Sequence, residues 1–198
     1  MSEVSAQMVK DIRDTTGAPF IDCKKALEET KGNIDKAIEI LRVKGLAKVS
    51  KKTGRETPEG VITSYIHGGG KIGVIVEINC ETDFVARNDE FQNFSKEVAM
   101  QIAAASPSYV SPADVPEEVL TKEKEIMKAQ VIESGKPENI ADKIVDGKIS
   151  KYYEDNCLIN QVYIRDSKKK ISDLLNELIA KVGENIRIRR FVRYQLGE

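Results

Sequence analysis

The chain has 198 residues, 40% hydrophobic and 32% charged, with a formal net charge of −1. That balance describes a globular chain of one or two domains rather than a disordered one, and it argues against a dedicated nucleic-acid binder while leaving room for a local basic patch. No apolar run approaches the ~20 residues of a membrane span, and the start Met1-Ser2-Glu3-Val4 has no basic region, apolar stretch or cleavage site of a secretory signal.

Residues 1–45 read as three short helices. Val4, Met8 and Ile12 recur at i, i+4, i+8 and predict the first, which Thr16-Gly17 ends. Asp22 is the expected N-cap of a second, Cys23 to Thr30, with Leu27 toward a core. Gly32-Asn33 breaks and caps a third, whose Ile34, Ile38 and Leu41 share a face and which Gly45 is placed to stop. So small a bundle has a marginal core and suits the display of a loop and helix end to a partner. From 42 to 57 the composition changes. Arg42, Lys44, Lys48, Lys51, Lys52 and Arg55 occur with no acid between 42 and 55, which predicts a basic, solvated linker. The expected division is a helical domain at 1–50, a linker at 51–58 and an α+β domain at 59–198.

From Glu59 the period is that of strands. Val61 to Ile66 and Ile72 to Asn79 flank His67-Gly68-Gly69-Gly70-Lys71 and predict a hairpin, the second strand being the more buried. Phe91, Phe94, Val98, Ile102 and Ala105 predict a helix over 89–105. Ser106 to Pro116 holds three prolines and reads as a connection. Two charged helices follow at about 117–134 and 137–153 and predict a projecting helical hairpin. Cys157 to Arg165 reads either as a short strand or as an extended arm. Ile171, Leu174, Leu175, Leu178, Ile179 and Val182 make the strongest amphipathic helix, ended by Gly183. In the last strand, Ile186 to Tyr194, strict alternation puts Arg190 on the apolar face, so either Arg190 is paired internally or a bulge shifts the phase. The fold class is therefore α+β, a small antiparallel sheet of about three strands packed with helices.

Few residues invite covalent chemistry. Cys23, Cys80 and Cys157 lie far apart with no C-x-x-C pair, which suits a reducing cytoplasm and buried packing roles. His67-Gly68-Gly69-Gly70 looks like an esterase oxyanion segment, but no G-x-S-x-G elbow accompanies it, and no phosphate-loop pattern occurs. A flexible hairpin turn explains it better. Two apolar features are more informative. Phe20-Ile21 precedes Asp22, and one residue there is enough for a hydrophobic staple, so the second is free to serve as an outward anchor. Asp83-Phe84 sits between strand and helix. Asp83 as a cap with Phe84 folded onto the core is one reading, and Phe84 as an exposed wedge is the other.

Three stretches then make the chain recognisable. Glu77-Ile78-Asn79-Cys80-Glu81-Thr82-Asp83-Phe84-Val85-Ala86-Arg87 closely resembles a signature of the bacterial elongation factor Ts family. Ile12-Arg13-Asp14-Thr15-Thr16-Gly17-Ala18-Pro19-Phe20-Ile21-Asp22-Cys23-Lys24-Lys25-Ala26-Leu27 resembles a second, and Gly183-Glu184-Asn185-Ile186-Arg187-Ile188-Arg189-Arg190 a third, in the family's order. The resemblance implies a ubiquitin-associated-like helical domain before the α+β core. It also implies guanine-nucleotide exchange on the translational GTPase elongation factor Tu, without covalent catalysis, cofactor or metal of its own. Thr82, Asp83, Phe84 and Val85 would form the segment that displaces Mg²⁺ from that partner. Phe20 and Ile21 would pack on a partner helix, with Arg13 and Lys24 as flanking polar contacts. A homodimer is implied for this short form, with the helix at 171–182 and the final strand as candidate elements. No direct nucleic-acid or membrane contact is implied, and the location would be cytoplasmic. Pro19 departs from the small residues usual in the family at that position.

Overall fold

A computed structural model describes residues 4–135 and 137–198. Tertiary contacts group the chain into two compact units. One comprises Met1–Ile62, Glu77–Ser95 and Asp173–Ile188; the other comprises Thr63–Val76, Lys96–Ser172 and Arg189–Glu198.

The first unit opens on three helices. Helix α1 (Ala6–Thr16) is capped by Ser5, whose hydroxyl accepts from Met8 N, and ends at Gly17 in the left-handed region. Only glycine adopts that φ of 65° cheaply, and its N–H satisfies Arg13 O at 2.8 Å. Helix α2 (Phe20–Glu29) starts three residues before the position expected from sequence. Pro19, with φ −56° already set, occupies the N-cap without a side-chain bond, so Asp22 is not the cap. Asp22 lies instead in the first turn, where its charge complements the helix dipole. Asn33 caps helix α3 (Ile34–Ser50) by accepting from Lys36 N at 3.0 Å.

Gly45 does not stop α3, against expectation. A single glycine costs a helix only about 1 kcal/mol relative to alanine, and the helix-forming residues beyond it carry α3 to Ser50. The first half of the basic stretch is therefore helix rather than linker. Its charges are also partnered: Arg42 meets Asp173 at 3.0 Å and Lys44 meets Glu29 at 2.9 Å. The bundle core is Val9, Ile12, Cys23, Ala26, Leu27, Ala37 and Leu41, with Val4, Met8 and Ile38 at its border.

Strands β1 (Glu59–His67) and β2 (Ile72–Cys80) form the hairpin, and β5 (Ile186–Gln195) pairs with β2, giving the order β1-β2-β5. Along β2 the alternation is clean: Val74, Val76, Ile78 and Cys80 are buried and Ile75 is exposed. The last strand resolves its sequence ambiguity by a change of phase. Ile186 and Ile188 are buried, but Phe191 and Arg193 are the next half-buried positions and Arg190 is exposed.

Helix α5 (Asp89–Ala105) buries Phe91, Phe94, Val98 and Ile102. In the second unit, helices α6 (Glu117–Glu133) and α7 (Glu138–Asn156) pair through Val131, Ala141, Val145 and Ile149, with Lys128 to Asp142 at 2.9 Å. The ambiguous segment after Cys157 holds β3 (Val162–Tyr163), which pairs antiparallel with β4 (Asp166–Lys170). Two buried glutamines fix it. Gln101 donates to Gln161 Oε1 and Val162 O and accepts from Ile164 N, while Gln161 donates to Ala105 O and Asp155 O.

Helix α8 (Ile171–Val182) buries Ile171, Leu178 and Ile179. Leu174, Leu175 and Val182 of the same stripe are half-buried. Lys181, near its end, does two things. Its aliphatic stem lies 3.0 Å from where a Cβ at Gly17 would be, and its amine pairs with Glu90 at the head of α5. Among the described residues, no helix is long and apolar enough to cross a membrane.

Candidate partner-binding site

Between β2 and α5 the chain makes one turn of helix, α4 (Asp83–Ala86). Thr82, not Asp83, is its N-cap. The extended backbone of Thr82 (φ −131°, ψ 157°) lets its hydroxyl accept from Val85 N. Asp83 follows at the first helical position and pairs with Arg87 at 3.0 Å. Both partners are well exposed, so the pair contributes little stability and leaves Asp83 able to exchange partners.

Four residues hold the turn from beneath. Glu184 accepts twice from Thr82, at 3.0 Å from the backbone N–H and 2.7 Å from the hydroxyl. Glu81 accepts from Asn185 N at 2.6 Å and pairs with Arg55 at 3.4 Å. Gln92 donates to Ala86 O at 2.6 Å. Ala86 is itself buried.

What this framework displays is Phe84. Its side chain is 84% exposed, more than any other large hydrophobic residue described. The reading in which Phe84 folds back onto the core is therefore incorrect. The cap hydroxyl belongs to Thr82, and the turn that follows rotates Phe84 outward while Ala86 takes the inward position. Leaving such a ring in water forgoes roughly 1.5–3 kcal/mol of burial. That free energy becomes available only when something else covers it.

The second candidate feature is the α1–α2 corner. Phe20 and Ile21 are 48% and 66% exposed, so both face outward and neither is spent as a staple. Arg13 and Lys24 are exposed beside them in sequence, Lys24 reaching Glu28 at 3.8 Å. The two sets of site residues stand on separate elements of one unit: Arg13, Phe20, Ile21 and Lys24 on the helical corner, and Thr82 to Val85 on the turn. They are linked through α8, which touches the corner at Gly17 and α5 at Glu90.

The groups suited to covalent chemistry are poorly placed for it. All three cysteines are buried. Burial, followed by the charge of Glu184, pushes the Cys80 thiol up to about 11, and burial pushes Cys157 to about 11 as well. Burial also raises Cys23. A thiolate nucleophile is thus unavailable near neutrality. His67 closes β1 with its Nδ1 2.9 Å from the Tyr65 hydroxyl. Among the described residues no group of three or more His, Cys, Asp or Glu could hold a metal ion.

Sequence reasoning gave Glu184, Glu81, Arg55 and Gln92 no role. Glu81 carried a signal only as part of the first signature, and Glu184 only as part of the third. The action of Glu184 at Thr82 spans 102 positions of chain, beyond any local pattern.

Comparison with known proteins finds relatives matching along nearly the whole chain. The family model described as Elongation factor TS matches residues 1–198. The chain is 60% identical over 195 residues to Elongation factor Ts of Caldanaerobacter subterraneus subsp. tengcongensis, covering 98% of each. It is 61% identical to that of Thermoanaerobacter sp. (strain X514), covering 98% of this chain and 96% of the relative. With that of Desulfosudis oleivorans it shares 55% identity over the whole of both chains.

Proposed function

The chain belongs to the elongation factor Ts family, the nucleotide exchange factors of elongation factor Tu, and we propose that it acts on that GTPase through the exposed Phe84 turn. Docking buries Phe84 against the GTPase near its nucleotide site, and Asp83 trades Arg87 for side chains of the partner. The Thr82–Val85 segment thereby displaces Mg²⁺ from the partner. GDP is held there by the metal and by oriented backbone donors around its phosphates. Disturbing the metal raises the free energy of bound GDP with no bond made or broken in this chain, so the protein acts by binding and not as a catalyst of covalent chemistry. By linkage, nucleotide and factor weaken each other reciprocally. A ~10³-fold weakening needs a coupling of about 4 kcal/mol, within reach of a buried aromatic anchor and an apolar patch together.

Phe20 and Ile21, flanked by Arg13 and Lys24, provide that second patch by packing on a partner helix. The proposed division of labour is affinity from the helical corner and metal displacement from the turn. The observation that carries the reading is the exposure of Phe84 on a turn secured from below. The test is release of a fluorescent GDP analogue from elongation factor Tu. The parent chain accelerates release, and Phe84→Ala, still folded, loses most of the acceleration. A parent chain that leaves release unchanged overturns the function, and equal acceleration by both overturns the role of Phe84.

A homodimer is supported by a separate observation. Ile66 of β1, Ile75 of β2, and Val192 and Tyr194 of β5 are all exposed on neighbouring strands. Such an apolar sheet face is suited to burial against the same face of a second copy. Light scattering at micromolar concentration should report twice the chain mass, and Ile75→Lys should report one. We place this activity in the cytoplasm, with neither nucleic acid nor membrane as a direct partner.

A further inference from the structure

We propose that Glu184 is a positioning residue for exchange: its carboxylate sets the direction of the Thr82 hydroxyl and so the aim of Phe84. The proposal rests on the reading of the Phe84 turn given above. Both oxygens of Glu184 are engaged by one residue, Oε2 by the backbone N–H of Thr82 and Oε1 by its hydroxyl. A hydroxyl has a single proton. Because that proton is committed to the carboxylate, the lone pairs of Thr82 Oγ1 are left to face Val85 N at 3.5 Å, a contact that joins the backbone bond from Ala86 N to Thr82 O at 3.2 Å in starting α4. The three bonds form a chain in which the carboxylate orients the cap and the cap orients the turn.

The geometry is reciprocal. Glu184 reaches from the 184–185 segment to the backbone of Thr82, and Glu81 reaches from the 81–82 segment to the backbone of Asn185. Arg55 neutralises part of the charge by facing Glu81 at 3.4 Å, and its carbonyl accepts from Asn185 Nδ2 at 2.9 Å. Gly183 makes the approach feasible. It terminates α8 with φ 85° and lets the next residue turn toward Thr82. Hydrogen bonds to a charged acceptor are stronger than neutral ones, and the part-buried setting of these two limits their replacement by water. A four-residue helix has little stability of its own, so such external bonds decide whether it forms.

Glutamine at 184 keeps the size but presents one acceptor and one donor group to two donors. The hydroxyl proton then loses its acceptor and one lone pair of Oγ1 faces an amide N–H, so the direction of the cap toward Val85 N is no longer fixed. A displaced Phe84 still lets the helical corner dock, so the expected defect lies in the maximal rate of GDP release and not in the concentration giving half of it. The assay titrates each variant against elongation factor Tu loaded with a fluorescent GDP analogue. Glu184→Gln should lower the maximal rate about tenfold or more, the scale of one lost charge-assisted bond, with half-saturation within about twofold. Thr82→Val should do the same, Thr82→Ser, which keeps the hydroxyl, should lose clearly less than Thr82→Val, and the Glu184→Gln/Thr82→Val double variant should lose no more than either single change.

Phe84→Ala in the same assay separates the two layers of argument. Glu184→Gln and Thr82→Val at the parental rate, with Phe84→Ala slow, overturn the role of Glu184 alone. All three at the parental rate overturn the reading of the turn itself. A Glu184→Gln defect confined to half-saturation also overturns the proposal. If Glu184→Gln melts below the assay temperature, Thr82→Val and Thr82→Ser carry the same expectations and the same refutation.

Discussion

The two exposed apolar features of the first unit are built from opposite materials. The Phe20–Ile21 corner stands on an apolar core of seven buried residues, and its helix begins at Pro19 with no side-chain cap. The Phe84 turn is a four-residue helix held at both ends by hydrogen bonds, Glu184 accepting from its cap Thr82 and Gln92 donating to Ala86 O. A hydrophobic anchor thus does not require a hydrophobic foundation. An apolar support tolerates small shifts of angle, whereas hydrogen bonds fix direction. The first arrangement suits a residue that supplies affinity, and the second suits one that must reach a single place.

This contrast yields graded expectations. The largest effect is on the corner's foundation. Leu27→Ala empties the centre of a very small core and should cost about 2–5 kcal/mol, seen as an early urea transition of the bundle. A change below 1 kcal/mol would mean that the bundle is not held by its core. Next, Ile21→Asp should raise the half-saturating concentration for GDP release about tenfold and leave the maximal rate unchanged. A fall in maximal rate instead would erase the proposed division between the two features. Gln92→Ala removes the bond to Ala86 O and should cost about 1 kcal/mol, read as faster amide exchange in residues 83–88 and not elsewhere.

The smallest effect concerns alkaline pH. Cys80, directly before the turn, has its thiol raised to about 11 by burial and then by Glu184. The folded state therefore holds that proton more tightly than the unfolded chain does. The associated stability is fully present below pH 9 and declines as pH rises through about 11. The urea midpoint of the parent should fall over this range, and Cys80→Ala should flatten the fall in part, because Cys157 contributes a similar slope.

Where sequence succeeded, one period was enough. The buried faces of α5 and α8 follow from helical spacing, and the inward residues of β2 follow from alternation. Where it failed, two local rules competed or a distant partner decided. Gly45 reads as a stop by residue type, yet α3 continues through it to Ser50. Asp83 and Thr82 are both capping residues, and Glu184, 102 positions away, favours the second. The strand Asp166–Lys170 has no strand-like composition at all. It exists because Gln101 and Gln161 hold its partner in place. Phe84 was legible as unusual, but its outward direction was not, since it depends on which neighbour caps the turn.

The contact between Gly17 and Lys181 has a consequence for how this protein can diverge. A side chain at 17 would be strained at φ 65° and would press on the stem of Lys181 at 3.0 Å, while the amine of Lys181 is engaged with Glu90 at the head of the helix that follows the Phe84 turn. Positions 17, 181 and 90 are therefore not free to drift one at a time. Exchanges among them should be inherited together, and a change acceptable at 181 in one background should be harmful in another. The glycine that ends the first helix thus limits the mutational history of a surface on the far side of the sequence.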